Sequence, residues 1–268
     1  MSTPVLDRIA GKKIFFVQPN SVIQKEMVTE LIRLEYEVYL ITDAADAMDV
    51  FYEHPDCLAF LNIDDGLSEQ GWLNFVQDVQ RDPELQGVKL GILTYNPDPE
   101  LASKYLFIHT VPCGFVRLSL RLAESTNIIT KVLEANEAKG RRKFLRVACE
   151  EHARLNFKTH ADFIEGRVVD LSSVGLSCTL DPDKVWPQHS VFKSMQLKLK
   201  GSLCLVDGVV MGSRRLEGGM GTLYIILFDA KIANHHREKI RTYMQWVLQS
   251  SVEKFLRSRP RKPAPPKG

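Results

Sequence analysis

The pattern of apolar residues changes character once along this chain, at Gly140, and no single layered architecture accommodates both sides of that change. Before it, apolar β-rich runs at 13–17, 37–41, 58–63, 88–94 and 114–118 alternate with stretches of helical spacing. The first of these stretches shows Val22, Ile23, Met27, Leu31 and Ile32 on one face. Ser21 and Asp43 are expected to cap the first two helices, and Lys139 with Gly140 to end a long helix over 120–138. Strands alternating with helices predict βαβ units and a parallel sheet covered on both faces. After Gly140 the helical spacing stops. Segments at 153–157, 163–169, 176–180, 191–199, 202–213 and 221–228 alternate apolar with polar residues, separated by Gly, Asp, Pro and Lys. Six such strands in so short a span predict a small antiparallel β-barrel. A helix from Asn234 to about Phe255 follows, with Ile240, Tyr243, Met244, Trp246, Val247, Val252 and Leu256 expected to pack on or beside the barrel.

Two clusters in the second half carry chemistry. Arg141-Arg142-Lys143-Phe144-Leu145-Arg146 places three guanidiniums within six residues, and Asp170-Leu171-Ser172-Ser173-Val174-Gly175 offers a carboxylate, hydroxyls and a glycine in a tight turn. Guanidinium pairs bidentately with phosphate or with the O6/N7 edge of guanine and stacks on a base. A carboxylate accepts from the guanine N1–H and N2–H donors, which arginine cannot do. Hydroxyls and glycine-exposed N–H groups suit phosphate or ribose oxygens. Either cluster alone is ordinary, one as a solvated cationic face and the other as a turn. Together they describe a ligand with guanine bases and phosphates.

The RxxxR element of Arg142 and Arg146, followed some two dozen residues later by the DxSxxG of Asp170, Ser172 and Gly175, resembles the two-part signature of PilZ domains, which bind bacterial cyclic di-GMP. The resemblance implies a barrel with a C-terminal helix and a flexible arginine arm that folds over the ligand. Arg142 and Arg146 would clamp a guanine and the phosphates, Asp170 would read the guanine donor edge, Ser172 would contact phosphate or ribose, and Gly175 would give the turn its backbone shape. Ser173 is a possible extra contact. Arg141 extends the motif to RRxxxR, either to stack on a second guanine, favouring an intercalated ligand pair, or only to supply positive charge.

The first half resembles a flavodoxin-like response-regulator receiver domain. Receivers hold a metal with acids after the first strand, where this chain has Gln18-Pro19-Asn20. They carry the phosphate-accepting Asp at the end of the third strand, where this chain has Asn62. Thr94 matches the hydroxyl after the fourth strand, and Arg117 stands near the usual Lys. Asp64 and Asp65 are shifted and read as a turn with Gly66. The resemblance therefore implies a receiver-like domain without phosphorylation chemistry, kept as a protein-binding or dimerisation module.

The resulting expectation is α/β plus mainly β: a receiver-like domain over 1–138, a PilZ barrel with its arm and helix over 139–258, and a disordered basic tail over 259–268. Charge follows the same division, with 11 Lys/Arg against 21 Asp/Glu in residues 1–138 and 24 against 12 in the remainder. An anionic ligand is drawn to the second half. The five cysteines Cys57, Cys113, Cys149, Cys178 and Cys204 are scattered in apolar runs and read as reduced, buried thiols. His235-His236 reads as surface, and the basic Gly212–Arg215 loop as a weak further candidate. No apolar run is long enough for a membrane span and no secretory signal is read, so the chain is expected in the cytoplasm. No nucleophile–base pair, P-loop or dinucleotide fingerprint appears. The expected protein is a non-enzymatic cyclic di-GMP receptor with no cofactor, acting on an unidentified protein partner in a process such as motility or virulence. The rival expectation is a nucleic-acid or protein-interaction regulator using the basic half.

Overall fold

The computed structural model describes residues 10–119, 122–150, 152–159, 162–182, 184–217 and 221–259. It contains two compact units, one of residues 1–143 with 248–268, the other of residues 144–247.

In the first unit, β1 (Ile14–Val17), β2 (Val38–Ile41), β3 (Leu58–Asn62), β4 (Lys89–Thr94) and β5 (Phe115–Arg117) form a parallel sheet in the order β2-β1-β3-β4-β5. This is the flavodoxin-like order. Both faces are covered, which is why β1 and β3 read as unbroken apolar runs. Ile14 and Phe16 join a core with α1 (Val28–Arg33) and α5 (Leu122–Ala135) through Leu31, Ile129 and Leu133. Phe15 points to the other face, where its ring meets Tyr39, Phe51 and His54. Phe51 lies on α2 (Ala44–Glu53) and touches Phe75 of α3 (Glu69–Arg81). Between β4 and β5 the chain forms α4 (Pro99–Ser103) and a wider turn, Lys104–Ile108.

Helix ends confirm some expectations and correct others. Asp43 accepts from the Ala45 N–H, as a cap should. The first helix is capped by Asn20, not Ser21: Asn20 Oδ1 accepts from Val22 and Ile23 N–H at 3.1 and 3.0 Å. The long helix ends at Ala135 rather than at Gly140. Glu137 takes the left-handed conformation (φ 52°), and the Ala138 N–H bonds the Leu133 carbonyl at 3.0 Å while Glu137 N–H bonds Glu134 at 3.0 Å. This is a Schellman stop built on a glutamate. Gly140 serves another purpose: a Cβ there would lie 2.4 Å from the Ala10 carbonyl group. The expected start of this helix at residues 120 and 121 lies outside the described residues.

The second unit is the antiparallel barrel. β7 (Ala153–Lys158), β8 (Phe163–Ser172), β9 (Gly175–Asp181), β10 (Val191–Leu199), β11 (Ser202–Arg215) and β12 (Thr222–Phe228) close as β8-β7-β10-β11-β12-β9-β8. A seventh strand, β6 (Arg146–Ala148), was not foreseen; it pairs with β8 beyond the point where β7 ends. Alternate residues such as Leu155, Ile164, Val168, Cys178, Leu197 and Val206 fill the interior. Each fully buried aliphatic side chain contributes about 1.5–3 kcal/mol relative to exposure. Gly212–Arg215 is not a loop but the end of β11, paired with 222–225.

Helix α6 (Asn234–Ser258) begins in the barrel unit, where Ile240, Tyr243 and Met244 are buried. From Leu248 it belongs to the first unit, so Val252, expected on or beside the barrel, is buried in the first unit instead. There the Gln249 amide brackets Leu40 on edge strand β2, donating to its carbonyl and accepting from its N–H, both at 3.0 Å. Arg259, assigned to the tail from sequence, pairs with Asp49 at 2.9 Å and lies over the Phe255 ring. Residues 260–268 lie outside the described residues. Among the described residues no helix is long and apolar enough to cross a membrane.

Candidate functional site

The site is built on the β8–β9 hairpin and on β6 beside it. β8 carries a bulge: Val168 pairs with Cys178, but Asp170 pairs with Ser177, leaving Val169 as the extra residue. Interior positions therefore shift from Ile164 and Val168 to Leu171. Without that extra residue, Asp170 would fall on the interior parity. The bulge turns it outward, the use to which bulges are often put.

Three strands then align in two rows. Ala148, Asp170 and Ser177 are register partners across β6, β8 and β9, as are Arg146, Ser172 and Gly175. Arg146 and Asp170 are thus diagonal neighbours on one face. Arg146 Nη1 lies 3.8 Å from Asp170 Oδ1, with the two side chains 48% and 33% exposed. At that length and exposure the pair adds little stability, so both groups are open to a better partner. The other carboxylate oxygen of Asp170 accepts from the hydroxyl of Ser177 at 2.5 Å. Ser177 is a participant that motif reading missed. Its position seven residues after Asp170 is meaningful only once the hairpin register is known.

Ser172 sits differently from expectation. Its side chain is buried, and its hydroxyl donates to the Gly175 carbonyl at 3.0 Å and accepts from Val174 N–H at 3.4 Å. It shapes the turn from within. Ser173 is also buried. Gly175 is required by proximity, not by an unusual φ: a Cβ would stand 2.5 Å from the Ile226 carbonyl oxygen on β12. Arg146 is the first residue of a strand rather than part of a free arm. Arg141 and Arg142 end the first unit, are exposed, and make no ion pair among the described residues. Arg141 lines a cavity of that unit of about 1050 Å³ with Lys139, Lys12 and Tyr36, and Lys139 lies 4.6 Å from the Tyr36 ring centre.

The receiver-like positions are also explicit. Asn62 ends β3, is fully buried, and donates to the Gln18 carbonyl at 2.8 Å. Thr94 ends β4, and its hydroxyl donates to Asp64. The second Asp64 oxygen accepts from Tyr95 N–H at 2.8 Å. Asp64 is therefore more than a turn residue: its carboxylate occupies the hydroxyl and N–H donors at the C-terminal edge of the sheet. Arg117 is exposed. The rings of His235 and His236 lie with centres 3.8 Å apart, tilted 50° to one another, and no cluster able to hold a metal ion occurs among the described residues.

No family model matches the chain, and no curated protein does. Solved structures to which it is similar include PilZ domains and receiver domains. The PilZ domain of YcgR from Escherichia coli with c-di-GMP matches at 15% identity and a TM-score of 0.38, covering 43% of this chain and 97% of that domain. The MrkH–c-di-GMP complex of K. pneumonia matches at 15% identity and 0.34, covering 46% of this chain and 57% of that one. A signal receiver domain from Clostridium thermocellum matches at 13% identity and 0.38, covering 46% of this chain and 98% of that domain.

Proposed function

We propose that the chain is a non-enzymatic receptor for cyclic di-GMP. The observation that carries this reading is the convergence of Arg146 and Asp170, 3.8 Å apart and partly exposed, beside a turn that Ser172 closes from inside. A guanidinium for phosphate and the purine O6/N7 edge next to a carboxylate for the purine N–H donors is the pairing a guanine nucleotide needs. Ser177 fixes the carboxylate through one oxygen and leaves Oδ1 for the ligand. Arg141 and Arg142 supply further guanidiniums from the segment before β6, and Arg141 is the residue that would take a second guanine. In this reading the domains run over 1–138 and 139–258, and binding orders the arginine arm that opens the second. That ordering changes what the protein presents to a partner.

Calorimetric titration of the full chain with cyclic di-GMP tests this. Saturable binding at micromolar or lower concentration, weakened in Arg142→Ala and Arg146→Ala, is expected. Heat that does not saturate, or variants that bind like the parent, would remove the reading. A stoichiometry of one ligand per chain would remove the second-guanine role of Arg141.

A further inference from the structure

The two rows that hold the polar groups do not stop at β9. Ser177 is the register partner of Ile225, and Gly175 of Leu227, on β12. Leu227 in turn pairs with Val209 on β11, and Val209 with Val191 on β10. Along β12 the side chains alternate: Tyr224, Ile226 and Phe228 are buried, while Ile225 and Leu227 are 42% and 44% exposed. Val191 is 56% exposed. The outer face of the barrel therefore carries an exposed apolar edge in line with Arg146 and Asp170.

What lies between the two edges has little height. Gly175 has no side chain, and Ser172 and Ser177 are small and buried, their hydroxyls bonded to the Gly175 carbonyl and to Asp170. The result is a shallow trough. From Arg146 and Asp170 on one bank to Ile225 and Leu227 on the other, the breadth follows from strand spacing: β6 and β12 are three spacings apart and β8 and β12 two, so the trough is about 10–14 Å wide. One bank is charged and the other is apolar. A flat aromatic base with a polar edge and apolar faces matches that asymmetry, because the apolar bank can cover a ring face while the polar bank takes the edge.

Resting on the proposed receptor reading, we infer that Ile225 and Leu227 form the second wall of the nucleotide site and position a purine ring against Arg146 and Asp170. They touch the ring face and make no polar contact. Their role is to exclude water from the base edge, where it would compete with Asp170 and Arg146.

The test uses the full chain and cyclic di-GMP. Leu227→Ser and Ile225→Ser are expected to weaken binding about fivefold each, since each withdraws part of an apolar side chain from the contact. Leu205→Ser, at an equally exposed position on β11, is the control and is expected to bind like the parent. Unfolding midpoints close to the parent's would show that the barrel persists in each variant. Leu227→Trp gives a readout that a merely structural role would not move: added indole fluorescence that falls as the guanine nucleotide saturates the site, with no such change in Leu205→Trp. If the parent binds while Leu227→Ser and Ile225→Ser bind equally well and the Leu227→Trp signal stays constant, the second wall is wrong and the receptor reading stands. If the parent does not bind, both fall.

Discussion

Asp170 and Arg146 meet on the outer face of the barrel because one extra residue, Val169, turns the strand before they face each other. Their mutual attraction is long and solvent-screened, so the pair itself adds little to the fold. Arg146→Ala is expected to leave the barrel's stability within about 0.5 kcal/mol of the parent, whereas Asp170→Ala strands the buried Ser177 hydroxyl and is expected to cost about 1–3 kcal/mol. The same replacements are expected to cost about 1.5–3 kcal/mol of ligand binding, or roughly tenfold to a hundredfold in affinity, as for other bonds to charged groups. Paired urea unfolding and calorimetry separate the two effects.

Gly175 makes the opposite prediction. Its Cβ would stand 2.5 Å from a backbone carbonyl, and backbone cannot rotate away as a side chain can. Gly175→Ala is expected to destabilise the barrel by about 1–3 kcal/mol, measured by urea unfolding, with ligand affinity falling as a consequence of the displaced hairpin.

The first unit is expected to be inert to phosphoryl donors. The position at the end of β3 is the amide of Asn62, and the Thr94 hydroxyl and Tyr95 N–H are taken by Asp64. Incubation with acetyl phosphate should add no mass to the intact protein. Asp64→Ala should lower the stability of this unit by about 1–3 kcal/mol, because it strands those donors. A phosphorylated product on intact mass analysis would contradict this assignment.

Burial pushes the Cys113 thiol up to about 11, and those of Cys57, Cys149 and Cys178 up to about 12, from an ordinary value of 9.0. At pH 8 their reaction with a disulfide reagent should be on the order of a hundredfold slower in the folded protein than in denaturant. The folded state keeps protons that the unfolded state releases. The stabilising contribution is thus complete below about pH 9 and is lost as pH rises through 11 to 12. Urea midpoints measured from pH 7 to 11 should fall on the alkaline side.

Much of this architecture is legible in the chain itself, for identifiable reasons. Runs such as 14–17 and 58–62 are apolar throughout because both faces of a parallel sheet are covered, and barrel strands alternate because one face is wet. What was hidden depends on pairing across distance. Strand β6 has three residues and shows no periodicity, so the arginine run looked like a free arm. The bulge at Val169 is invisible until β8 meets β9. Ser172 and Gly175 belong to a recognisable motif, yet their partners within the fold are not legible in it, because a hydroxyl's partner and a neighbour's carbonyl are tertiary facts. Glu137 stops a helix in place of the glycine three residues later, which shows that a left-handed residue need not be the one with the best propensity.

The most direct measurement compares two ligands that differ only in their bases. Titrated into the full chain, cyclic di-GMP should bind at least about a hundredfold more tightly than cyclic di-AMP, since adenine lacks the N–H pair that Asp170 is placed to accept. In Asp170→Ala that preference should shrink to about tenfold or less. Equal affinity for the two nucleotides, or a preference that survives loss of Asp170, would contradict the account.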